Sequence, residues 1–280
     1  MEIQARGKIN WTLDIVGRRT DGYHLLDMLM QPIALCDTLR IQPADGLSLA
    51  IEGRPDLSAG EDNLILRAAR ALQKKYHISA GADITLIKRI PMGAGLGGGS
   101  ADGAAALKGL AALWGLPADL TALCAVGETL GADIPFCLHD APRRAQGIGE
   151  ILTPIQSRAY PLVLIQPCGA LSTKEVFTAY HASPAIPAPR TNAARDALAA
   201  GDLQALRQCA GNVLESASIP LRPAIAQAKD DLYAQGAAFS QMTGSGSVVF
   251  GAFEEKEKAA LAWEALRQKY NVCILTETAL

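Results

Sequence analysis

Pro91-Met92-Gly93-Ala94-Gly95-Leu96-Gly97-Gly98-Gly99-Ser100-Ala101 places five glycines in the seven residues from 93 to 99. Upstream, Asp83–Lys88 alternates apolar and polar residues as a strand does. Downstream, Ser100–Trp114 is rich in alanine and leucine and is stopped by Gly115 and Pro117. The run is thus a turn between a strand and a helix. Glycine lets such a turn reach positive φ and lets backbone approach a phosphate closely. The start of the following helix adds open N–H groups and a partial positive charge. Ser100 stands where it caps that helix or meets a phosphate oxygen. The run contains a literal G-x-G-x-x-G at Gly93, Gly95 and Gly98, the string of a dinucleotide site, but no clear βαβ unit surrounds it. No Gly-Lys-Ser/Thr follows, so it is not a Walker loop. A merely flexible loop is the remaining alternative, and it leaves so many glycines at a helix start unexplained.

Outward from the loop, strands and helices intermix without a strict βαβ repeat, which predicts an α+β fold of two lobes. Ile9–Ile15 alternates as a half-buried strand, Arg18–Gly22 reads as a tight turn, and Leu39–Ile41 and Leu47–Ile51 are strand segments around Asp45-Gly46. Asp62 is the expected cap of a helix running to about Tyr76. Asp119 is the expected cap of another that stops at Gly131. The character changes near residue 155, dividing the chain into a lobe at 1–155 and a smaller one at 156–280. In the latter Tyr160–Gln166 and Ser247–Phe253 read as strands, and Ser183–Pro189 as a loop or hinge. Helices are expected over Asn192–Ala200, Asp202–Leu214, Pro220–Gln235 and Glu255–Tyr270, with a last strand at Val272–Leu275.

Of the 280 residues 49 % are hydrophobic and 19 % charged, which gives a sizeable core and excludes a disordered chain. A net charge of −2 supplies no bulk attraction to nucleic acid or an anionic membrane. The six cysteines show neither a CxxC pair nor metal-ligand spacing, and reduced, mostly buried thiols are expected. Arg6, Lys8 and Asn10 interrupt the N-terminus before an apolar signal region develops, and no apolar run approaches the roughly 20 residues of a membrane span. The chain reads as cytoplasmic, as a monomer or a homodimer.

The central run, Pro91-x3-Gly95-Leu96-Gly97-Gly98-Gly99-Ser100-Ala101, resembles the phosphate motif of the GHMP kinases, the family of galactokinase, homoserine kinase and mevalonate kinase. Ala5-Arg6-Gly7-Lys8-Ile9-Asn10 and Met242-Thr243-Gly244-Ser245-Gly246-Ser247 fall where that family has its first and last motifs. Further segments, Arg18-x2-Asp21-Gly22-Tyr23-His24, Glu61-Asp62-Asn63-Leu64, Lys88-Arg89-Ile90-Pro91-Met92, Gly131-Ala132-Asp133-Ile134-Pro135 and Gly147-Ile148-Gly149-Glu150, resemble the branch that phosphorylates a cytidine diphosphate-linked polyol. The resemblance is densest to about residue 153 and thinner between Ser183 and Asp230. It departs from the usual pattern at Arg6-Gly7, where a Pro-Ala pair is common, at Trp11, where a smaller aliphatic residue is frequent, and at Ala101, which replaces a second serine.

The resemblance implies the two-lobed GHMP kinase fold, with a ribosomal-protein-like N-terminal lobe, and the use of ATP with Mg²⁺. By it Asp133 is the base that takes the substrate hydroxyl proton, and Lys8 supports it and the transferring phosphoryl group. From spacing alone, Asp133 reads rather as a loop aspartate or Asx-turn, and Lys8 as a solvated strand lysine. ATP is expected on Pro91, Met92, Gly93, Ala94, Gly95, Leu96, Gly97, Gly98, Gly99, Ser100 and Ala101, with Asn63 at the base. The polyol nucleotide is expected on Asn10, Tyr23, His24, Phe177, Thr243, Gly244 and Ser245, with Tyr23 and Phe177 stacking on cytosine and His24 reading its edge. Thr243–Gly246 reads as a backbone nest or, as a bare string, a hairpin turn. His77, His139 and His181 carry no motif and are expected on surface or in loops. No carboxylate cluster declares itself as a metal ligand set. Another GHMP kinase, of the homoserine or mevalonate type, a non-catalytic nucleotide-binding protein on the same fold, and a Rossmann oxidoreductase are the rival readings.

Overall fold

The computed structural model describes residues 1–54, 56–180 and 186–280. His181 and the 183–185 part of the proline-rich stretch lie outside the described residues. The chain forms two compact units interleaved in sequence: residues 1–7, 35–90 and 97–140, and residues 8–34, 91–96 and 141–280. Two long strands, β1 (Glu2–Arg18) and β2 (His24–Ala44), contribute to both.

In the first unit β3 (Leu47–Glu52) precedes helix α1 (Leu64–Tyr76), and β4 (Gly81–Ile87) precedes α2 (Gly98–Leu113). Two shorter helices follow, α3 (Leu120–Glu128) and α4 (Ile134–His139). Strand β4 pairs parallel with β3 and antiparallel with Thr38–Ala44 of β2. The helices bury a continuous apolar stripe: Ile65, Ala68, Ala69 and Leu72 of α1 recur at helical spacing and join Leu107 and Leu110 of α2. Full burial of each isoleucine or leucine of the stripe is worth roughly 1.5–3 kcal/mol.

Helix α1 is capped by Asn63, not by Asp62. The Asn63 side chain accepts from the Ile65 N–H, while Ser58 donates to the Asp62 carboxylate at 2.7 Å. Helix α2 begins at Gly98 behind a left-handed Gly97, so Ser100 lies inside the first turn and caps nothing. Asp119 caps α3 as expected, accepting from the Ala122 N–H at 2.8 Å. His77 is exposed, but His139 closes α4 and is half-buried, so it is not a loop residue.

In the second unit β5 (Arg143–Gly147) pairs with Leu26–Met30 of β2 and with β6 (Ile151–Pro154). A four-stranded sheet is built from β7 (Pro161–Gln166) and three later strands. Between them come α5 (Thr173–Tyr180), α6 (Thr191–Ala200), α7 (Leu203–Cys209), the short β8 (Gly211–Asn212), α8 (Glu215–Leu221) and α9 (Ala224–Ala234). The chain then runs through β9 (Phe239–Met242), β10 (Val249–Ala252), α10 (Lys256–Leu266) and β11 (Val272–Glu277), giving the antiparallel order β11-β7-β10-β9.

Two expected helices are corrected here. The one over Asp202–Leu214 ends at Cys209, where β8 pairs with Thr12–Leu13 of β1. The one over Pro220–Gln235 is two helices, because Pro223 has no N–H to continue a ladder and instead caps α9. Trp11, unusual at its position, is fully buried and packs edge-on to Tyr160 at 5.5 Å and Phe250 at 5.4 Å, centring this unit's aromatic core. The expectation of mostly buried thiols is also corrected: only Cys209 is buried, and Cys36, Cys124, Cys137, Cys168 and Cys273 are half-buried.

Candidate active site

The glycine run turns from β4 into α2 through left-handed residues at Gly93, Gly95 and Gly97, with φ of 57°, 75° and 68°. Gly95 allows no side chain. A Cβ there would stand 2.0 Å from the Thr243 carbonyl oxygen, and φ is in the region that L-residues avoid. No side chain caps α2, so its first-turn N–H groups are open to an anion, as a phosphate cradle requires.

Lys8 belongs to this loop. It is 4 % exposed, and its backbone N–H donates to the Leu96 carbonyl at 2.9 Å. Its Nζ donates to the Gly95 carbonyl and to Asn10 Oδ1, each at 2.7 Å. This is a buried ammonium held in place, not a solvated strand lysine. Asn10, fully buried, gathers the third motif: its Oδ1 also accepts from the Gly244 N–H at 3.1 Å and from Thr243 Oγ1 at 3.3 Å. Thr243 Oγ1 in turn accepts from the Asn10 N–H at 3.1 Å. Three segments far apart in sequence thus meet at Lys8, Asn10, Gly95, Thr243 and Gly244.

The Thr243–Gly246 stretch lies in the connection between the antiparallel strands β9 and β10. Ser245 Oγ lies 3.0 Å from Thr173 Oγ1 at the start of α5. Sequence reasoning missed what supports this hairpin. Asn212 Nδ2 donates to the carbonyls of Met242 and Gly244 at 2.9 and 2.8 Å, and Ser218 Oγ donates to that of Ser245 at 3.2 Å. Both supports come from the stretch where the family resemblance thins.

Asp133 is half-buried at the cap position of α4 but makes no capping hydrogen bond, so its carboxylate is not spent on the helix. The Asn63 side chain is spent on structure: beyond its capping bond, its Nδ2 donates to the Ser58 carbonyl at 2.8 Å. Among the substrate candidates, His24 and Phe177 stack with ring centroids 4.8 Å apart and planes inclined by 29°. Tyr23, next to His24 in sequence, is 61 % exposed, its N–H donating to Asp21 Oδ1 at 3.2 Å in an Asx-turn. Among the described residues no group of three or more His, Cys, Asp or Glu side chains gathers as a cation cage. Nor is any helix among the described residues long and apolar enough to cross a membrane.

The family model of the GHMP kinases N terminal domain matches residues 63–141, and that of the GHMP kinases C terminal matches residues 194–272. A 4-diphosphocytidyl-2-C-methyl-D-erythritol kinase of Acetivibrio thermocellus is 38 % identical over 99 % of both chains. That of Pelotomaculum thermopropionicum is 40 % identical over 98 % of this chain and 96 % of its own. A crystal structure of 4-(cytidine 5'-diphospho)-2C-methyl-D-erythritol kinase, 35 % identical, superposes with a TM-score of 0.86 over the whole of both chains. Homoserine kinase from Cytophaga hutchinsonii shares the fold at 16 % identity and a TM-score of 0.79. The chain belongs to the GHMP kinases. Its full-length relatives place it in their 4-diphosphocytidyl-2-C-methyl-D-erythritol kinase branch.

Proposed function

We propose that this chain transfers the γ-phosphoryl group of ATP to the 2-hydroxyl of 4-diphosphocytidyl-2-C-methyl-D-erythritol, a step of non-mevalonate isoprenoid biosynthesis. The observation that carries the reading is the buried Lys8 ammonium lying on the glycine loop at Gly95, in a chain whose full-length relatives bear that kinase name. Asp133 takes the hydroxyl proton as the substrate oxygen bonds to the γ-phosphorus. The bond to the β,γ-bridging oxygen breaks, and ADP leaves with the electron pair. Lys8 offsets charge developing on the transferring group. The start of α2 and the loop Pro91–Ala101 hold the phosphates, and Asn63, its side chain occupied by the α1 cap and the Ser58 carbonyl, has its backbone left to meet the nucleotide base. When bound, Mg²⁺ neutralises phosphate charge.

Such a reaction needs positioning and charge neutralisation more than covalent chemistry, so a single lysine and a single aspartate suffice. Cytosine presents a π-face and a hydrogen-bonding edge, which suits the rings of Tyr23 and Phe177 and the polar atoms of His24. Asn10, Thr243, Gly244 and Ser245 close on the polyol and its phosphates. A functional division near residue 155 accompanies this reading, and the two matched family models fall on either side of it.

The test is ATP consumption with the cytidyl polyol, homoserine or mevalonate, for wild type and Asp133→Ala. Turnover with the cytidyl substrate alone is expected, with kcat lower by about 10² or more in Asp133→Ala. Turnover on homoserine or mevalonate instead would overturn the substrate assignment and keep the class. ATP binding without turnover on any of them would leave a nucleotide-binding protein.

A further inference from the structure

Beneath the glycine loop lies a cluster that the reaction does not use directly. Lys88, just after β4, is 9 % exposed, with Nζ 2.5 Å from Asp37 Oδ2 on β2 and 2.6 Å from Asp102 Oδ2 in α2. Asp37 is fully buried, and its other oxygen accepts from the backbone N–H groups of Arg89 at 2.5 Å and Ile90 at 2.8 Å. A lysine beside a phosphate loop invites the reading that it grips phosphate. Here its ammonium is committed to two buried carboxylates instead.

We infer that Asp102 is a positioning residue of the phosphate loop: acting through the Lys88 ammonium, its carboxyl fastens the first turns of α2 to the chain leaving β4, and so fixes both ends of the loop. Asp37 holds the entering end by its bonds to residues 89 and 90, and Asp102 holds the departing end. The space beneath is tight. A Cβ on Gly98 would stand 3.1 Å from Lys88 Nζ and 3.0 Å from Ile90 Cγ2, so glycine lets the helix start close on its anchor. The inference rests on the reading that this loop holds ATP.

Two carboxylates sharing one ammonium leave an excess negative charge beside a phosphate site. Asp102 Oδ1 is moreover buried with no hydrogen-bond partner among the described residues, a costly place for a full charge. Burial, with the Asp37 carboxylate beside it and Lys88 opposing, pushes the Asp102 carboxyl up to about 8. The charged groups acting on Asp102 are Lys88 and Asp37. Around it α1 and α4 turn Leu64 and Ile134 onto the neighbouring Gly103. Arg67, Arg70, Lys74 and Lys75 of α1 and Glu128 of α3 are exposed, and His139 lies at the other end of α4 from Ile134. The neutral cluster carries one proton, on Asp102. That proton is held more tightly in the fold than in the unfolded chain, so stability falls as pH rises through the interval up to about 8.

The test is steady-state kinetics of the full chain between pH 6.5 and 9, with calorimetric titration of ATP·Mg as a readout independent of turnover. Asp102→Ala is expected to raise KM and Kd for ATP about tenfold, as loss of a charge-assisted bond does, with KM for the cytidyl substrate unchanged. Asp102→Asn mimics the protonated carboxyl, its amide oxygen accepting from Lys88 and its NH₂ facing Asp37. It should stay within about twofold of wild type at pH 7. Above pH of about 8 the wild-type Kd for ATP should rise while that of Asp102→Asn stays flat. An unchanged Kd in folded Asp102→Ala, or identical pH profiles for wild type and Asp102→Asn, overturns the inference. Should Asp102→Ala not fold, the comparison of pH profiles decides alone. Wild type that binds ATP but does not turn over the cytidyl polyol would sink the underlying reading, while the calorimetric series still decides the role of Asp102.

Discussion

The loop at Pro91–Ala101 and the hairpin loop at Thr243–Gly246 both bend on left-handed glycines, yet what stands behind them differs in charge. Behind the ends of the first are an ammonium and two carboxylates, Lys88, Asp37 and Asp102. The side chains bonded directly to the second are two amides and a hydroxyl, Asn10, Asn212 and Ser218, with the Lys8 ammonium reaching it through Asn10 Oδ1. An ionic anchor gives short, strong bonds but holds only while its proton count is right. A neutral anchor is weaker bond by bond and indifferent to pH. One molecule therefore fixes two loops of similar backbone by devices that fail under different conditions.

Removing the ammonium breaks the comparison most sharply. Lys88→Met leaves Asp37 and Asp102 facing each other, both buried and without a counter-ion. A loss of about 3–5 kcal/mol in urea unfolding at pH 7 is expected, the cost of an uncompensated buried charge. The deficit should shrink as pH falls toward 5 and the carboxyls take up protons. A loss under about 1 kcal/mol, or one independent of pH, would show that the anchor is not ionic in effect.

The contact between the two loops comes next in size. Gly95→Ala puts a Cβ against the Thr243 carbonyl and forces an L-residue to a φ of 75°. A destabilisation of order 2–4 kcal/mol is expected, equal at pH 6 and pH 8.5 because the nearest atoms the added Cβ would meet are all backbone. Thermal unfolding at the two pH values checks it, and a pH-dependent loss would tie this contact to the ionic anchor beneath.

What the sequence disclosed follows the same division. The glycine loop was legible because its chemistry is local, whereas Lys8 and Thr243–Ser245 were singled out only by the family resemblance. The ionic anchor was not legible, since Lys88 meets Asp37 and Asp102 across separations of 51 and 14 residues, and no pattern marks a lone aspartate as a partner. Strands β1 and β2 were read only in pieces because charged residues interrupt their apolar pattern. In the fold several of those charges are paired, among them Arg6 with Asp140 at 2.6 Å and Asp27 with Arg144 at 2.7 Å. The cap of α1 was placed one residue early because Asp62 and Asn63 are both good caps, and only the Ser58 hydroxyl, by engaging Asp62, decides between them. The Asp202–Leu214 helix was overextended because the pattern does not show that Gly211 and Asn212 leave it to pair with β1.

The smallest effect tests the neutral side. Asn212 is 1 % exposed and makes three bonds, two from Nδ2 to carbonyls of the hairpin and one from the Leu214 N–H to Oδ1 at 3.0 Å. Asn212→Ala deprives two carbonyls and one N–H of partners, and about 1–3 kcal/mol should be lost, unchanged from pH 6 to 9. Asn212→Asp keeps the acceptor for Leu214 but replaces the donor with an oxygen aimed at two carbonyl oxygens. Charged, it should cost more than alanine; protonated, its hydroxyl restores one of the two donor bonds. Its stability should therefore recover as pH falls, making titratable a loop that in the wild type is not. Urea midpoints of both variants at pH 5 and pH 8 measure this directly. If Asn212→Asp matched Asn212→Ala at both pH values, the donor direction at residue 212 would not be what holds the hairpin.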